Sequence, residues 1–400
     1  MRTTADAVVI GGGVMGASLA YHLAKAGVKR VALLEKNHLG NGGTGKSTAV
    51  IRMHYENEPE TRLAVAAYPV YAHFDDVVGG ECGFVKSGVL WLVGAADAEK
   101  VRANVAMHRR LGANAQVVTP QDAGAIEPAI QTTGFALGAY EPDSGYADPL
   151  LTTFAFAKRA AELGAAIREG LGALRILTSE SRVVGVETED GIIASPIVVN
   201  AAGGWAAPLA QTAGVEVPIV VQRNQVAVLR QPPDLMRRHA VAADLTLGLY
   251  FRPDGEAATQ IGTGSGEDGV DPDGYNQAVD ADFAQLAQSK VRQRVPKLAR
   301  GVFRGGWSGI YDMTPDGKAI LDRVGPEGFY LACGFSGTGF KKAPAIGRCF
   351  AEWITEGRPR TVDLYPFRLS RWAQGQPIVG EHEYGAGGGH FWQSSRETAE

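Results

Sequence analysis

The chain has 400 residues, 45% of them apolar and 20% charged, with 39 Lys and Arg against 43 Asp and Glu for a formal net charge of -4. That balance belongs to a folded globular protein and excludes both a disordered chain and a generally basic nucleic-acid binder. The length exceeds the roughly 250–300 residues that one core serves, so two domains are expected.

Ala7–Ile10 is a short apolar run suited to a parallel strand buried on both faces. Gly11, Gly13 and Gly16 follow as G-x-G-x-x-G, with Val14 and Met15 inside the motif, and a helical pattern then places Leu19, Ala20, Leu23 and Ala24 on one face. A second strand, residues 30–34, leads into Glu35, nineteen residues beyond Gly16. A carboxylate there accepts hydrogen bonds from both ribose hydroxyls of a dinucleotide, while the helix N-terminus faces the pyrophosphate. Strand, glycines, helix, strand and acid together predict an adenine dinucleotide without a 2′-phosphate. The apolar stretch 5–24 is broken by Asp6 and four glycines, too polar for a membrane span or a signal peptide.

Residues 40–47, Gly-Asn-Gly-Gly-Thr-Gly-Lys-Ser, satisfy G-x-x-x-x-G-K-[ST], with Lys46 as the phosphate lysine of an NTPase. Such a loop normally follows a buried strand directly, whereas residues 35–39 intervene, so a loop serving the dinucleotide is the preferred reading. Further on, 140–147 is a turn-rich crossing and 150–163 has helical periodicity. Residues 182–194 read as a hairpin turning at 189–191, and 218–230, 247–252 and 260–263 as strands of a second, mixed sheet with an amphipathic helix over 280–294. From Ala373 the chain is polar and glycine-rich, an extended arm or mobile tail. Three scattered cysteines and the lack of an HExxH or HxH pair speak against disulfides and metal. A reducing, cytoplasmic setting is expected, with no membrane or nucleic-acid partner.

With residues 47–52 (Ser-Thr-Ala-Val-Ile-Arg), 198–205 (Val-Val-Asn-Ala-Ala-Gly-Gly-Trp), 313–317 (Met-Thr-Pro-Asp-Gly) and 333–341 (Cys-Gly-Phe-Ser-Gly-Thr-Gly-Phe-Lys), the chain resembles the FAD-dependent D-amino-acid oxidase superfamily, in its sarcosine and glycine oxidase branch. The resemblance spans nearly the whole chain. It implies an α/β fold (α+β overall), in which a Rossmann-like FAD-binding domain (1–84, 146–216 and 318–372) is interleaved with a mixed-β-sheet substrate domain (85–145 and 217–317), leaving 373–400 as the arm. It also implies FAD contacts from Lys36, Gly43, Thr44, Lys46, Ser47 and Thr48, on a turn and helix lying over the flavin. Further contacts are implied from Ala202, Gly203, Trp205 and Gly309, and from Gly334, Ser336, Gly337, Thr338, Gly339, Phe340 and Lys341 at a second helix N-terminus.

The activity implied is oxidation of a small amine or amino acid, sarcosine- or proline-like. A hydride passes to flavin N5, and water hydrolyses the resulting imine. Arg52 aligns with the arginine that holds the substrate carboxylate in monomeric sarcosine oxidases, and Lys341 with the second carboxylate cation, although a surface lysine beside Lys342 is an alternative. Tyr250 falls at a pocket tyrosine, Arg252 is a less secure carboxylate partner, and His54 and Tyr55 are placed to line the same cavity. Tyr311 stands where glycine and D-amino-acid oxidases carry their carboxylate arginine. Gly309 and Ser47 stand where relatives carry a tethering cysteine or histidine, so the flavin is expected to be non-covalent. Gln260 aligns with an oxygen-activating lysine, which leaves O2 or another acceptor open. A dehydrogenase or non-catalytic flavin subunit of a hetero-oligomer, a homo-oligomer and, remotely, a Lys46 NTPase remain alternatives.

Overall fold

The computed structural model describes residues 3–235, 237–264 and 266–385. Its first sheet has six strands in the order Ile320–Arg323, Phe329–Cys333, Val198–Asn200, Ala7–Ile10, Val31–Leu34 and Ala166–Arg168. All neighbours are parallel except the first pair. Ala7–Ile10 and Val31–Leu34 are wholly buried, as their apolar runs require. Helix α1 (Val14–Lys25), helix α2 (Glu58–Ala72) and the helices Pro149–Glu162 and Ala343–Glu356 share one core over this sheet. A four-stranded sheet and the helix Ala206–Gln211 cover the other face, Arg182–Thr188 and Gly191–Ala194 forming the expected hairpin.

The second sheet is larger and mixed. Val220–Arg230 pairs with Ala258–Thr263 and Val302–Met313, and the order continues through Leu249–Asp254, Val241–Asp244, Val89–Val93 and Leu137–Glu141 to Gln116–Val118. Ala281–Arg294 packs Phe283, Ala287 and Val291 against Leu229, Leu249 and Phe251.

One departure from expectation and one choice between expected alternatives bear on the site. Residues 47–52 form no helix. Val50–Ile51 is a two-residue strand paired antiparallel with Gly145–Tyr146, and Arg52 lies just beyond it in irregular backbone. Residues 373–385 form a docked arm: Ile378 N donates to Asp316, Glu381 N to the Glu56 carbonyl and Gly385 N to Asp97. The remainder of the expected tail, 386–400, lies outside the described residues. Among the described residues no helix is long and apolar enough to cross a membrane.

Candidate active site

A cleft of about 430 Å³ runs along the carboxyl ends of Ala7–Ile10 and Val31–Leu34. Gly11, Gly13, Val14, Met15, Glu35, Lys36, Gly43, Thr44, Ser47, Ala202, Gly203, Trp205, Gly337, Gly339 and Phe340 are all on its wall. The glycines are there because the walls are close. A Cβ on Gly13 would stand 2.9 Å from Thr44 Oγ1, and one on Gly43 2.7 Å from the Ile310 carbonyl oxygen. Gly16 acts differently, since a Cβ there would meet the Gly11 carbonyl at 1.8 Å, so it permits helix packing and does not line the cleft.

Helix α1 presents its N-terminus to this cleft with no acid in its first turn and no cap from Gly13; Val14 N donates to Thr44 Oγ1 at 3.1 Å, and the positive end of the helix suits a pyrophosphate. Glu35 Oε2 accepts from Gly12 N at 2.7 Å and Oε1 from Asn37 N at 2.8 Å. These bonds hold the carboxylate at the cleft with lone pairs left over for two hydroxyls. Lys36 lies 4.1 Å over the Trp205 ring and pairs with Asp273, closing that end. Asp312 lines the cleft and accepts from Gly334 N at 2.7 Å; burial pushes its carboxyl up to about 6. These features fit an adenine dinucleotide in an extended conformation.

Besides Gly16, three expected cofactor contacts, Lys46, Gly309 and Gly334, line neither cavity. Lys46 lays its stem against Gly309, where a Cβ would meet Lys46 Cβ at 2.5 Å, and its carbonyl accepts from Trp307 Nε1. The loop carrying it leads into a strand, so no helix N-terminus stands behind it as a phosphate loop requires. Gly309 therefore makes room for lysine methylenes, and Gly334 supports the site from behind through Asp312.

A second cavity of about 120 Å³ adjoins the cleft and shares Ser47, Tyr311, Gly337 and Phe340 with it. Arg52, His54, Tyr250 and Lys341 line it, with Thr48, Ser336 and Thr338. Arg52 lies between Tyr55, 4.3 Å from the ring centroid, and Trp91, at 4.8 Å, and donates to the His54 carbonyl. Lys341 is buried, not a surface lysine, with neither a hydrogen bond nor an ion pair among the described residues. Burial pushes its ammonium well below the ordinary range, and the Arg52 charge acts in the same direction. Lys342 is the structural one of the pair, 2.7 Å from Glu60.

Tyr250 hydrogen bonds with Thr48 and Tyr311, and burial raises its hydroxyl to about 12. Gly262 leaves room for its ring, since a Cβ there would stand 2.2 Å from it. His54 is stacked on Trp91 and meets Tyr384 Oη at 2.7 Å through Nε2. Burial, then His108 and Arg52, hold its imidazole well below the usual range, so it is a neutral wall and a poor proton acceptor. Gln260 lies outside both cavities, buried on Ala258–Thr263 beside Arg252, whose guanidinium stacks over Tyr146 instead of reaching the cavity. The cavity also holds residues that sequence reasoning passed over: Trp91, Glu56, Glu60 and Lys318.

Residues 6–353 match the family model described as DAO, FAD dependent oxidoreductase. The chain belongs to that family. Human mitochondrial sarcosine dehydrogenase is 28% identical over 387 residues, which is 93% of this chain but only 42% of that protein. The 4-methylaminobutanoate oxidase (formaldehyde-forming) of Paenarthrobacter nicotinovorans is 29% identical over 376 residues, 90% of this chain and 44% of that one. The chain thus spans less than half the length of these two relatives. Among solved structures, L-proline dehydrogenase from P. horikoshii superposes with a TM-score of 0.88 at 26% identity, covering 94% of this chain and 100% of that one. The cleft's shape and donors fit the FAD that the family's description names.

Proposed function

We propose that the protein oxidises the C–N bond of a small amino acid or secondary amine that is sarcosine-, N-methyl amino acid- or proline-like. The observation that carries this reading is the pair Arg52 and Lys341. Neither has an acidic partner among the described residues, and both face a 120 Å³ cavity that opens onto the FAD cleft. An arginine and a buried lysine that no carboxylate of the chain pairs with directly call for a ligand carboxylate, which the Arg fork takes through two donors and whose charge restores the Lys341 ammonium. The volume admits only a small ligand. The named activities of the relatives on methylated amino acids and proline agree with this choice.

A flavin bound in the cleft would supply the hydride acceptor for the carbon next to the substrate nitrogen. The chain's own task is to orient that carbon. Arg52 and Lys341 anchor the carboxylate, Trp91 and Tyr55 hold the Arg52 plane, and Tyr250 with Tyr311 forms a neutral wall where the two cavities meet. The imine product is then hydrolysed by water. The segments 1–84, 146–216 and 318–372 form the FAD unit in this reading, and 85–145 with 217–317 the substrate unit. The flavin is held without a covalent link, because Ser47 and Gly309 offer no nucleophile able to tether it. The setting is cytoplasmic.

The test is anaerobic flavin reduction by the purified holoprotein. Sarcosine, proline and related N-alkyl amino acids should bleach the visible flavin absorbance, and pyrrolidine and dimethylamine, which lack the carboxylate, should do so far more slowly. Bleaching by none of them, with the flavin still reducible by dithionite, would refute the proposal.

A further inference from the structure

Glu56 shares the cavity with Arg52 and Lys341 and stands just before Asn57, the cap of α2. It is 9% exposed, and its side chain makes no hydrogen bond or ion pair among the described residues. The other buried acids nearby each have a partner, although Glu141 uses only Oε2 and its Oε1 is buried without one among the described residues. Glu60 meets Lys318 at 3.0 Å and Lys342 at 2.7 Å, and Glu141 accepts from Met53 N and Ser144 Oγ. The Glu56 backbone is clamped by the docked arm. Its carbonyl accepts from Glu381 N at 3.0 Å, and Gly380 packs so close that a Cβ there would stand 2.9 Å from Glu56 Cβ. An unpartnered carboxyl on a clamped backbone, in one cavity with Arg52 and Lys341, makes a site that is charge-complementary to a dipole.

We propose that Glu56 is an acidic subsite for the cationic nitrogen of the ligand, so that the cavity selects dipolar amino acids over simple carboxylates. The inference rests on the reading of Arg52 and Lys341 as the carboxylate clamp. The charged groups that face Glu56 are Lys318 and Arg52, which favour its ionised form, and Glu60 and Glu383, which oppose it. Burial is the largest influence and pushes the carboxyl up to about 7. The subsite is therefore charged above neutrality and fades below it.

Two ligands of equal shape isolate the effect. 2-Aminoisobutanoate has no hydrogen on its α-carbon to give up as hydride, and 2,2-dimethylpropanoate replaces its ammonium by a methyl group. Each is titrated anaerobically into the holoprotein and followed by the flavin spectrum. At about pH 8.5 the wild type should bind the dipolar ligand about tenfold more tightly, and the preference should shrink toward about pH 6 as Glu56 takes up a proton. Glu56→Gln should bring the two affinities within about threefold while 2,2-dimethylpropanoate binding is kept.

A preference that survives Glu56→Gln, or is flat with pH in the wild type, overturns the subsite and leaves the carboxylate clamp standing. Binding of neither ligand overturns both. If the variant loses its flavin, the wild-type pH series decides alone.

Discussion

Truncating Arg52 to alanine removes one arm of the proposed carboxylate clamp, and the structure sets the size of the effect. The guanidinium is held between Tyr55 and Trp91 and donates to the His54 carbonyl, so its remaining donors are free for a ligand. Each charge-assisted hydrogen bond to a desolvated carboxylate contributes roughly 1.5–3 kcal/mol. Lys341 stays in the cavity and retains part of the attraction, so the net loss should be ~2–4 kcal/mol in kcat/KM, a factor of roughly 30–900. The assay is stopped-flow flavin reduction with proline or sarcosine, repeated with pyrrolidine or dimethylamine. The loss should be confined to the carboxylate-bearing substrates, since the decarboxylated amines never made the contact. An equal loss on both sets would show that Arg52→Ala acts by disturbing the aromatic wall, and the clamp would have to be abandoned.

Glu35→Gln should weaken FAD binding to the apoprotein about tenfold or more, because one charged acceptor facing the ribose becomes neutral; titration with FAD measures it, and unchanged affinity would remove Glu35 from the ribose site. Acid precipitation should leave the flavin in the supernatant, and a yellow pellet would mean that a residue other than Ser47 or Gly309 tethers it. Burial alone would raise the Glu60 carboxyl, but the Lys318 and Lys342 ammoniums outweigh it and hold the group below its usual range. The stability it contributes is therefore present above the unfolded carboxyl value of 4.5 and drains away as pH falls below it. Glu60→Gln, which strands two buried ammoniums, should cost about 3–5 kcal/mol at neutral pH and flatten the acid limb of urea midpoints measured from pH 7 downward; a variant as pH-sensitive as the wild type would contradict this.

What was legible in the sequence was mostly local. The opening strand, glycine motif, α1, second strand and Glu35 lie within one short segment, and each residue's role follows from its neighbours. The Lys46 motif was equally local and misleading, because its meaning depends on Gly309, far along the chain, leaving a groove for the lysine stem. Arg52 belongs to the site, but the expected helix around it does not exist. Val50–Ile51 takes its conformation from pairing with Gly145–Tyr146, a contact that no periodicity in residues 47–52 encodes. Gln260 shows the same limit in a strand. The family resemblance gives it a site position, but it pairs with Arg252 and Val228 on adjoining strands and lines neither cavity. Lys341 and Lys342 are adjacent and chemically identical in sequence. Only Glu60, on a helix from another part of the chain, separates them by pairing with one and leaving the other free for a ligand. The residues that went unnoticed, Glu56, Trp91 and Lys318, come from three different segments and carry no motif. They converge only because Val89–Val93, the start of α2 and the loop before Ile320–Arg323 meet there. A carboxylate site is built from charges left unpaired by the fold, and that property is visible only once every other charge has found its partner.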